Sequence, residues 1–368
     1  MFVCASRRWT GGERCMATVA AGMVRRGHAV AFAFDPRAPI GERLDAGVVG
    51  VPIRIRNDGD PAAVARLRRL IVRHGADVVV VNTTRELRVG GIAARLAGRG
   101  AVVNRRGAGD VLRGGLWDRW LYHALIDVLV RDSQWGVDAI AAQNPWFRRP
   151  THVARNGLDV EAVSRTTPSD RAAFGGVPGE FIIAVSDRRG RPAGAPEVAE
   201  AARRVVATSP GAPIHIVVVG DVDDSVRDAT NRALDGEDRV RASFVGPLPS
   251  ADALEMTAAA DIFARPSRSD GIPYAVLEAM ALQLPVVASA QGGLAEVVAD
   301  GETGILTPVG DVAALAAAIE RLRADPALRA GMGRAAWERV RLEFSESKML
   351  DAYEAVFRSA ARIRGRGA

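Results

Sequence analysis

Two carboxylates eight residues apart, Asp270 and Glu278, lie in the stretch DIFARPSRSDGIPYAVLEAMALQLPVVAS. Its pattern reads as a strand ending near Ala264, a loop rich in Pro, Ser and Gly, and a helix starting near Tyr274. In open α/β sheets ligands sit beyond the carboxyl ends of the strands, where first-turn N–H groups of the next helix bind phosphate. Gly271 lets the backbone come close to such a ligand. A carboxylate accepts two hydrogen bonds and so grips a vicinal diol. Asp270 in the loop and Glu278 one turn into the helix therefore suit a sugar and a ribose of one extended ligand. The alternative for the same pair is a turn aspartate and a helix-surface glutamate.

Such a loop needs a sheet to carry it. Ala29–Phe34, Asp77–Val81, Ala101–Asn104 and Asp127–Val130 read as strands, and the stretches Met16–Arg26, Ala62–Arg73, Leu87–Ala97 and Leu116–Ala124 between them carry apolar residues at helical spacing. The scheme repeats with strands at Phe181–Val185, Ile214–Val219, Ala242–Val245, Ile262–Ala264 and Val286–Ala288. Runs such as DVVVV and IHIVVVG are apolar on successive residues, as expected for strands covered by helices on both faces. The expected fold is α/β, with two Rossmann-like, doubly wound parallel-sheet domains. Residues 155–172 lose periodicity and gather turn formers, marking a linker. The expected domains are 1–160, 161–345, and a closing helix at 346–368 that packs back toward the first domain and ends in a frayed tail.

A chain of 368 residues with 48% hydrophobic and 25% charged residues suits two folded domains and excludes disorder. The two cysteines, Cys4 and Cys15, form neither a disulfide framework nor a zinc motif, and read as buried thiols in a reducing compartment. The opening MFVCASRRWTGGER is not a charged leader followed by a long apolar run, and no window reaches the ~18 apolar residues of a membrane span. The expectation is a cytoplasmic protein, soluble or peripheral at the inner face of the membrane. Lys348 is the single lysine among 49 basic residues, so any phosphate contact before it must use arginine. Residues 1–160 carry 25 arginines against 14 acids, net +11, whereas residues 161–368 carry 24 basic against 29 acidic residues, net −5. A basic first half suggests an anionic partner, such as a lipid phosphate or acidic glycan, and peripheral membrane contact; the alternative is solvated helix faces. The arginines are scattered without aromatic interleaving, which argues against nucleic acid.

PSRSDGIPYAVLEAMALQLPVVAS followed by QGGLAEVVADGETGILTPVGD resembles the donor-site signature of glycosyltransferase family 4, retaining enzymes of the two-domain GT-B architecture. TGGERCMATVAAGMVRRGHAV resembles the family's opening, and Asn156-Gly157-Leu158-Asp159 the element before its linker, so the resemblance covers nearly the whole chain. It implies a nucleoside-diphosphate sugar as donor, a hydroxyl-bearing acceptor that is anionic or lipid-linked, no required cofactor or metal, and a place in bacterial cell-envelope glycan, lipopolysaccharide or glycolipid synthesis. Donor and acceptor would meet in a gap between the domains. Asp270, standing for the family's first glutamate, would contact the donor sugar beside the reacting carbon. Glu278 would bind the ribose, and the amides of Gly271 and Ile272 the diphosphate or sugar oxygens. Gly292, Gly293 and Glu296 match the next element of the pattern, a simple turn being the alternative for the glycines. Gly11 and Gly12 would permit approach of phosphate to the first helix; His28 reads as packing at a strand start.

Two departures stand out. The family places an Arg and a Lys about six residues apart against the leaving diphosphate. VSDRRGRPAGAPEVAEA has instead Arg188, Arg189 and Arg191, of which Arg188 and Arg191 are expected to supply the charge. The alternative is a degenerate loop. Where many members carry His-Gly after a strand, this chain reads Asn104-Arg105-Arg106-Gly107. Arg106 cannot act as a base, so its expected work is binding an anionic acceptor or the donor phosphates, surface charge being the alternative. The rival activities are a nucleotide-sugar epimerase or phosphorylase of the same architecture, and a catalytically silent sugar-nucleotide-binding or scaffold protein.

Overall fold

The computed structural model describes residues 1–107, 112, 114–190, 193–268 and 270–365, the side chains of 364 and 365 excepted. It comprises two compact units, Met1–Asn156 with Ser347–Ala368, and Gly157–Glu346. Each holds one wholly parallel sheet with helical crossovers, the two doubly wound α/β domains expected from the alternation of strands and helices.

In the first unit the strands are β1 (Phe2–Cys4), β2 (Ala31–Phe34), β3 (Val49–Pro52), β4 (Val78–Val81), β5 (Ala101–Arg106), β6 (Val128–Arg131) and β7 (Thr151–Val153), in the order β3-β2-β1-β4-β5-β6-β7. The chain runs outward from β1 to one edge, then returns to β4 and runs to the other, so the order reverses between β1 and β4. The helical stretch expected at Leu87–Ala97 begins earlier, at Thr84, with Thr83 as its cap, and widens to a π-turn over Leu87–Gly91. A Cβ on Gly91 would lie 3.1 Å from Leu125, so the glycine admits the neighbouring helix. The helix Glu346–Gly365 completes this unit. Its Tyr353 hydroxyl lies 3.4 Å from Cys15 Sγ, its Glu354 accepts from Arg26 at 2.8 Å, and Leu350 fills the space above Gly22.

The second unit carries β8 (Phe181–Ser186), β9 (Ile214–Val219), β10 (Val240–Val245), β11 (Ile262–Arg265), β12 (Val286–Ser289) and β13 (Gly304–Thr307), in the order β10-β9-β8-β11-β12-β13. Alternate strand residues enter opposite cores. Ile182, Ala184, Val217 and Phe263 face one layer, while Ile183, Val185, Ile216 and Ala264 face the other. Both layers are covered, which is why the inner runs are apolar on successive residues, His215 excepted. Each buried Val, Ile or Phe among them adds about 1.5–3 kcal/mol relative to leaving it in water. Here the order reverses between β8 and β11. Aspartates cap the later helices: Asp311 accepts from Ala314 N–H and Asp325 from Leu328 N–H, both at 2.9 Å.

Candidate active site

The strand order reverses between β8 and β11, and beyond their carboxyl ends stand the turn that follows Ser186 and the loop that follows Arg265, the position where open α/β sheets bind ligands. Arg265 links the two. Its guanidinium donates to the Ser186 carbonyl at 2.6 Å and to Asp270 Oδ2 at 2.8 Å, with the Arg265 and Asp270 side chains only 11% and 10% exposed. The end of β8, from which the arginine-rich turn departs, and Asp270 therefore meet at one side chain. Nothing in the sequence marks Arg265 among so many arginines. The signal that finds it is its place as the last residue of the strand bordering the reversal.

Asp187 organises the arginine-rich turn. Its carboxylate accepts from Arg188 N–H at 2.6 Å and Ala193 N–H at 3.1 Å. Burial raises this carboxyl above its ordinary value, while those two amides and nearby Arg265 pull it back. The Arg188 side chain is exposed, and Arg189 is held by Asp221 and Asp223 at 3.3 Å each. Arg191 lies outside the described residues. Gly194, at the end of this turn, sits against Pro266 of the neighbouring loop.

The loop after β11 is held from its other side by the loop after β12. Gly293 N–H donates to the Asp270 carbonyl at 2.9 Å, and a Cβ on Gly293 would stand 2.8 Å from the Ile272 nitrogen and overlap the Gly271 carbonyl. Gly292, at φ +64°, would likewise drive a Cβ into the Asp270 carbonyl. A simple turn does not account for this pair, because the glycines are what let the two loops stack. Asp270, Gly271, Ile272 and Gly293 thus form one buried ledge. Glu278 is half-buried on the helix Tyr274–Ala281, and Glu296 is half-buried on the short helix Leu294–Val297, where its carbonyl accepts from Arg339 at 3.0 Å.

Gly11, Gly12 and Arg106 belong to the first unit. The helix Gly11–Arg25 opens at Gly11, and the buried Glu13 carboxylate accepts from Thr10 N–H at 2.9 Å, placing negative charge in the turn where phosphate was expected. A Cβ on Gly12 would meet Asn82 Nδ2 at 2.7 Å and Arg105 at 3.4 Å, so the glycine lies against the ends of these two side chains. Arg106 is 4% exposed and is therefore not a surface charge. Its guanidinium donates to Asn104 Oδ1 at 2.8 Å and Thr84 Oγ1 at 3.0 Å, and lies 5.4 Å from the Tyr122 ring centroid. Glu86, fully buried at the reversal between β1 and β4, accepts from the N–H groups of Ala5, Asn82 and Thr83 at 2.7–2.8 Å. Burial raises its carboxyl above the ordinary value, against the pull of these amides. His28 stands before β2 with Nε2 3.2 Å from Glu354.

Residues 181–325 match the family described as "Glycosyl transferases group 1", and residues 10–152 match the "Glycosyl transferase 4-like domain". Among curated proteins, the chain is 31% identical over 218 residues to a GDP-mannose-dependent monoacylated alpha-(1-6)-phosphatidylinositol monomannoside mannosyltransferase of Corynebacterium glutamicum, covering 56% of each chain. It is 32% identical over 251 residues to a D-inositol 3-phosphate glycosyltransferase of Saccharomonospora viridis, covering 65% of this chain and 54% of the other. The chain thus spans about half the length of the curated relatives it matches. Among solved structures, a Rickettsia africae glycosyltransferase superposes with a TM-score of 0.81 at 14% identity, covering 98% of each chain. Anabaena HepE in complex with UDP and glucose gives 0.77 at 22% identity, covering 98% of this chain and 100% of the other. These structural likenesses show a shared fold.

Proposed function

The chain belongs to the family-4 glycosyltransferases of group 1, and on that premise we propose that its second unit binds a nucleoside-diphosphate sugar and its first presents a hydroxyl acceptor. The bond from anomeric carbon to diphosphate oxygen breaks and a bond to the acceptor oxygen forms on the same face, with retention. The departing diphosphate takes the acceptor's proton. Asp270 holds the donor sugar beside the reacting carbon, Glu278 the ribose, and the amides of Gly271 and Ile272 the diphosphate. Arg188, together with Arg191, stabilises the charge that develops as the diphosphate leaves, in place of a metal ion. Arg106 shapes the acceptor side through its bonds to Asn104 and Thr84. The acceptor in this reading is anionic or lipid-linked and belongs to cell-envelope synthesis. The enzyme works in the cytoplasm, in peripheral contact with the inner face of the membrane. The phosphatidylinositol mannoside and inositol phosphate in the relatives' names support that acceptor class.

The observation that carries the reading is the Arg265 bridge, which ties the end of β8, where the arginine-rich turn begins, to the Asp270 ledge beside the sheet's reversal point. A thermal-shift screen against UDP-, GDP-, ADP- and CDP-sugars tests it. A ligand at 100 times its Kd adds about 2.7 kcal/mol, a shift of several degrees in a unit of this size. Stabilisation by one nucleotide class, followed by transfer to a phosphoinositol-type acceptor, is the expected result; no shift with any of them would refute the reading. A second reading, a sugar-nucleotide-binding protein without turnover, is favoured by the engagement of Asp270 with Arg265. Donor binding without transfer over a broad acceptor panel would establish it.

A further inference from the structure

Large apolar side chains are rarely left in water together, yet the first unit exposes four on neighbouring helices. Leu116 is 85% exposed, Trp117 68% and Trp120 59%, all on the helix Leu116–Leu125, and Leu96 is 59% exposed on the helix Ile92–Ala97. The two indoles stack on one another with centroids 5.0 Å apart, while Leu121, Tyr122 and Leu125 on the other face of the same helix are buried. This is an amphipathic helix turned partly outward, with two indoles and a leucine exposed beside Arg119 on its outer side.

The charge around it is one-sided. The adjacent helix Pro61–Arg73 exposes Arg66, Arg68, Arg69 and Arg73 and contains no acid. Arg68 Nε donates to the Leu96 carbonyl at 3.0 Å, which seats this arginine row against the exposed leucine. The acids that border the surface are already bridged: Asp58 by Arg85 at 2.9 Å and Arg88 at 2.7 Å, and Asp118 by Arg88 at 3.5 Å. Exposed Arg119 stands over the Trp146 ring at 5.3 Å.

We infer that the outer face of these three helices docks on an anionic lipid surface, with Leu116, Trp117 and Trp120 toward one end and Leu96 beside the row Arg66, Arg68, Arg69 and Arg73 toward the other, where Arg95 bonds the Ala124 and Leu125 carbonyls. Indoles favour the headgroup layer, where their apolar rings are buried and their N–H groups stay wet. Arginine stems lie along the apolar boundary with their charge toward lipid phosphates. The helix Leu116–Leu125 starts beyond the carboxyl end of β5, so Leu116 and Trp117 lie toward the sheet edge that carries Arg105 and Arg106. A lipid-linked acceptor anchored there would present its headgroup to that edge. The assignment deepens the membrane contact proposed above by naming the surface that makes it.

Vesicle sedimentation tests it, with phosphatidylglycerol/phosphatidylcholine vesicles against pure phosphatidylcholine at low salt. The expected result is binding to the anionic vesicles alone, release by salt, and a blue shift of tryptophan emission on binding. The Trp117→Ser/Trp120→Ser variant should lose at least about tenfold in partitioning and most of the blue shift, and Arg68→Gln/Arg69→Gln should lose about tenfold with the blue shift retained at saturating lipid. All these side chains are exposed, so melting temperatures should match the parent. Failure of the parent to bind anionic vesicles would overturn the membrane contact itself. Parent-like binding by the tryptophan variant would overturn this surface while leaving the contact standing. A concentration-dependent dimer that the variant dissolves, without vesicle binding, would overturn it in favour of self-association.

Discussion

Replacing Arg265 with methionine keeps the length of the side chain and removes its charge. Two bonds disappear, to the Ser186 carbonyl and to Asp270 Oδ2. The Asp270 carboxylate, 10% exposed, is left without this partner. Removing one member of a buried pair costs about 3–5 kcal/mol, because the remaining charge stays in a poor solvent. For a unit spanning 157–346, each kcal/mol lowers Tm by about 2–4 °C, so the variant should melt roughly 10–15 °C below the parent. The informative assay is a denaturation cycle with Asp270→Asn. Once Asp270 is neutral, the further loss of Arg265 strands no charge. The double variant should therefore be more stable than the sum of the single losses predicts, by at least about 1.5 kcal/mol. A coupling below about 0.5 kcal/mol would show that the bridge does not tie the end of β8 to the ledge, and the site reasoning built on it would fail.

Gly293→Ala should force the two stacked loops apart and cost about 1–3 kcal/mol, whereas Gly331→Ala, where a Cβ meets nothing within 4 Å in the helix Pro326–Glu343, should be neutral or stabilising by up to about 1 kcal/mol; equal urea midpoints for both would contradict the packing account. Glu278→Ala should weaken binding of the donor found in the screen by about 1.5–3 kcal/mol, and calorimetry showing unchanged affinity would remove it from the site. His215, buried between Ser243 at 2.8 Å and Glu180 at 3.5 Å, is held to a pKa of about 4 by burial first and by Arg241 second, with Glu180 opposing. Its folded pKa lies below the ordinary value of 6.5, so its neutral form contributes fully above about pH 6.5, and that contribution is lost as pH falls toward 4. The parent should lose up to about 3 kcal/mol over this window relative to His215→Gln; superimposable stability–pH curves would refute the assignment.

The long strands were legible because both faces of each sheet are covered. IHIVVVG sends alternate residues into two different cores and still has no polar face except at His215. Three edge strands and the first strand were not. Val49–Pro52, Thr151–Val153 and Gly304–Thr307 close the sheets' edges and are only partly buried, so they lack the apolar run of the inner four-residue strands, and Phe2–Cys4 offers only three residues. The strand–loop–helix around Asp270 could be read from its Pro, Ser and Gly content and its helix start. What fastens it could not, since Arg265 and Gly293 act through neighbours across the sheet. Arg106 shows the same limit. An arginine where a histidine was expected reads as charge for a ligand, yet its bonds to Asn104 and Thr84 and its place beside Tyr122 use it in packing. Glu86 closes a capping box with Thr83, and its reach to Ala5 N–H depends on β1 and β4 lying side by side.

The return of residues 347–365 to the first unit sets the order of synthesis against the order of completion. A ribosome finishes the second unit before it releases the helix that supplies Leu350, Tyr353 and Glu354 to the first. Until then the groove over Gly22, the Cys15 thiol and the Arg26 guanidinium lack the neighbours that cover them. The half made earliest is therefore the half finished last, and a stop codon near position 346 would injure the amino-terminal unit while sparing the one it immediately follows.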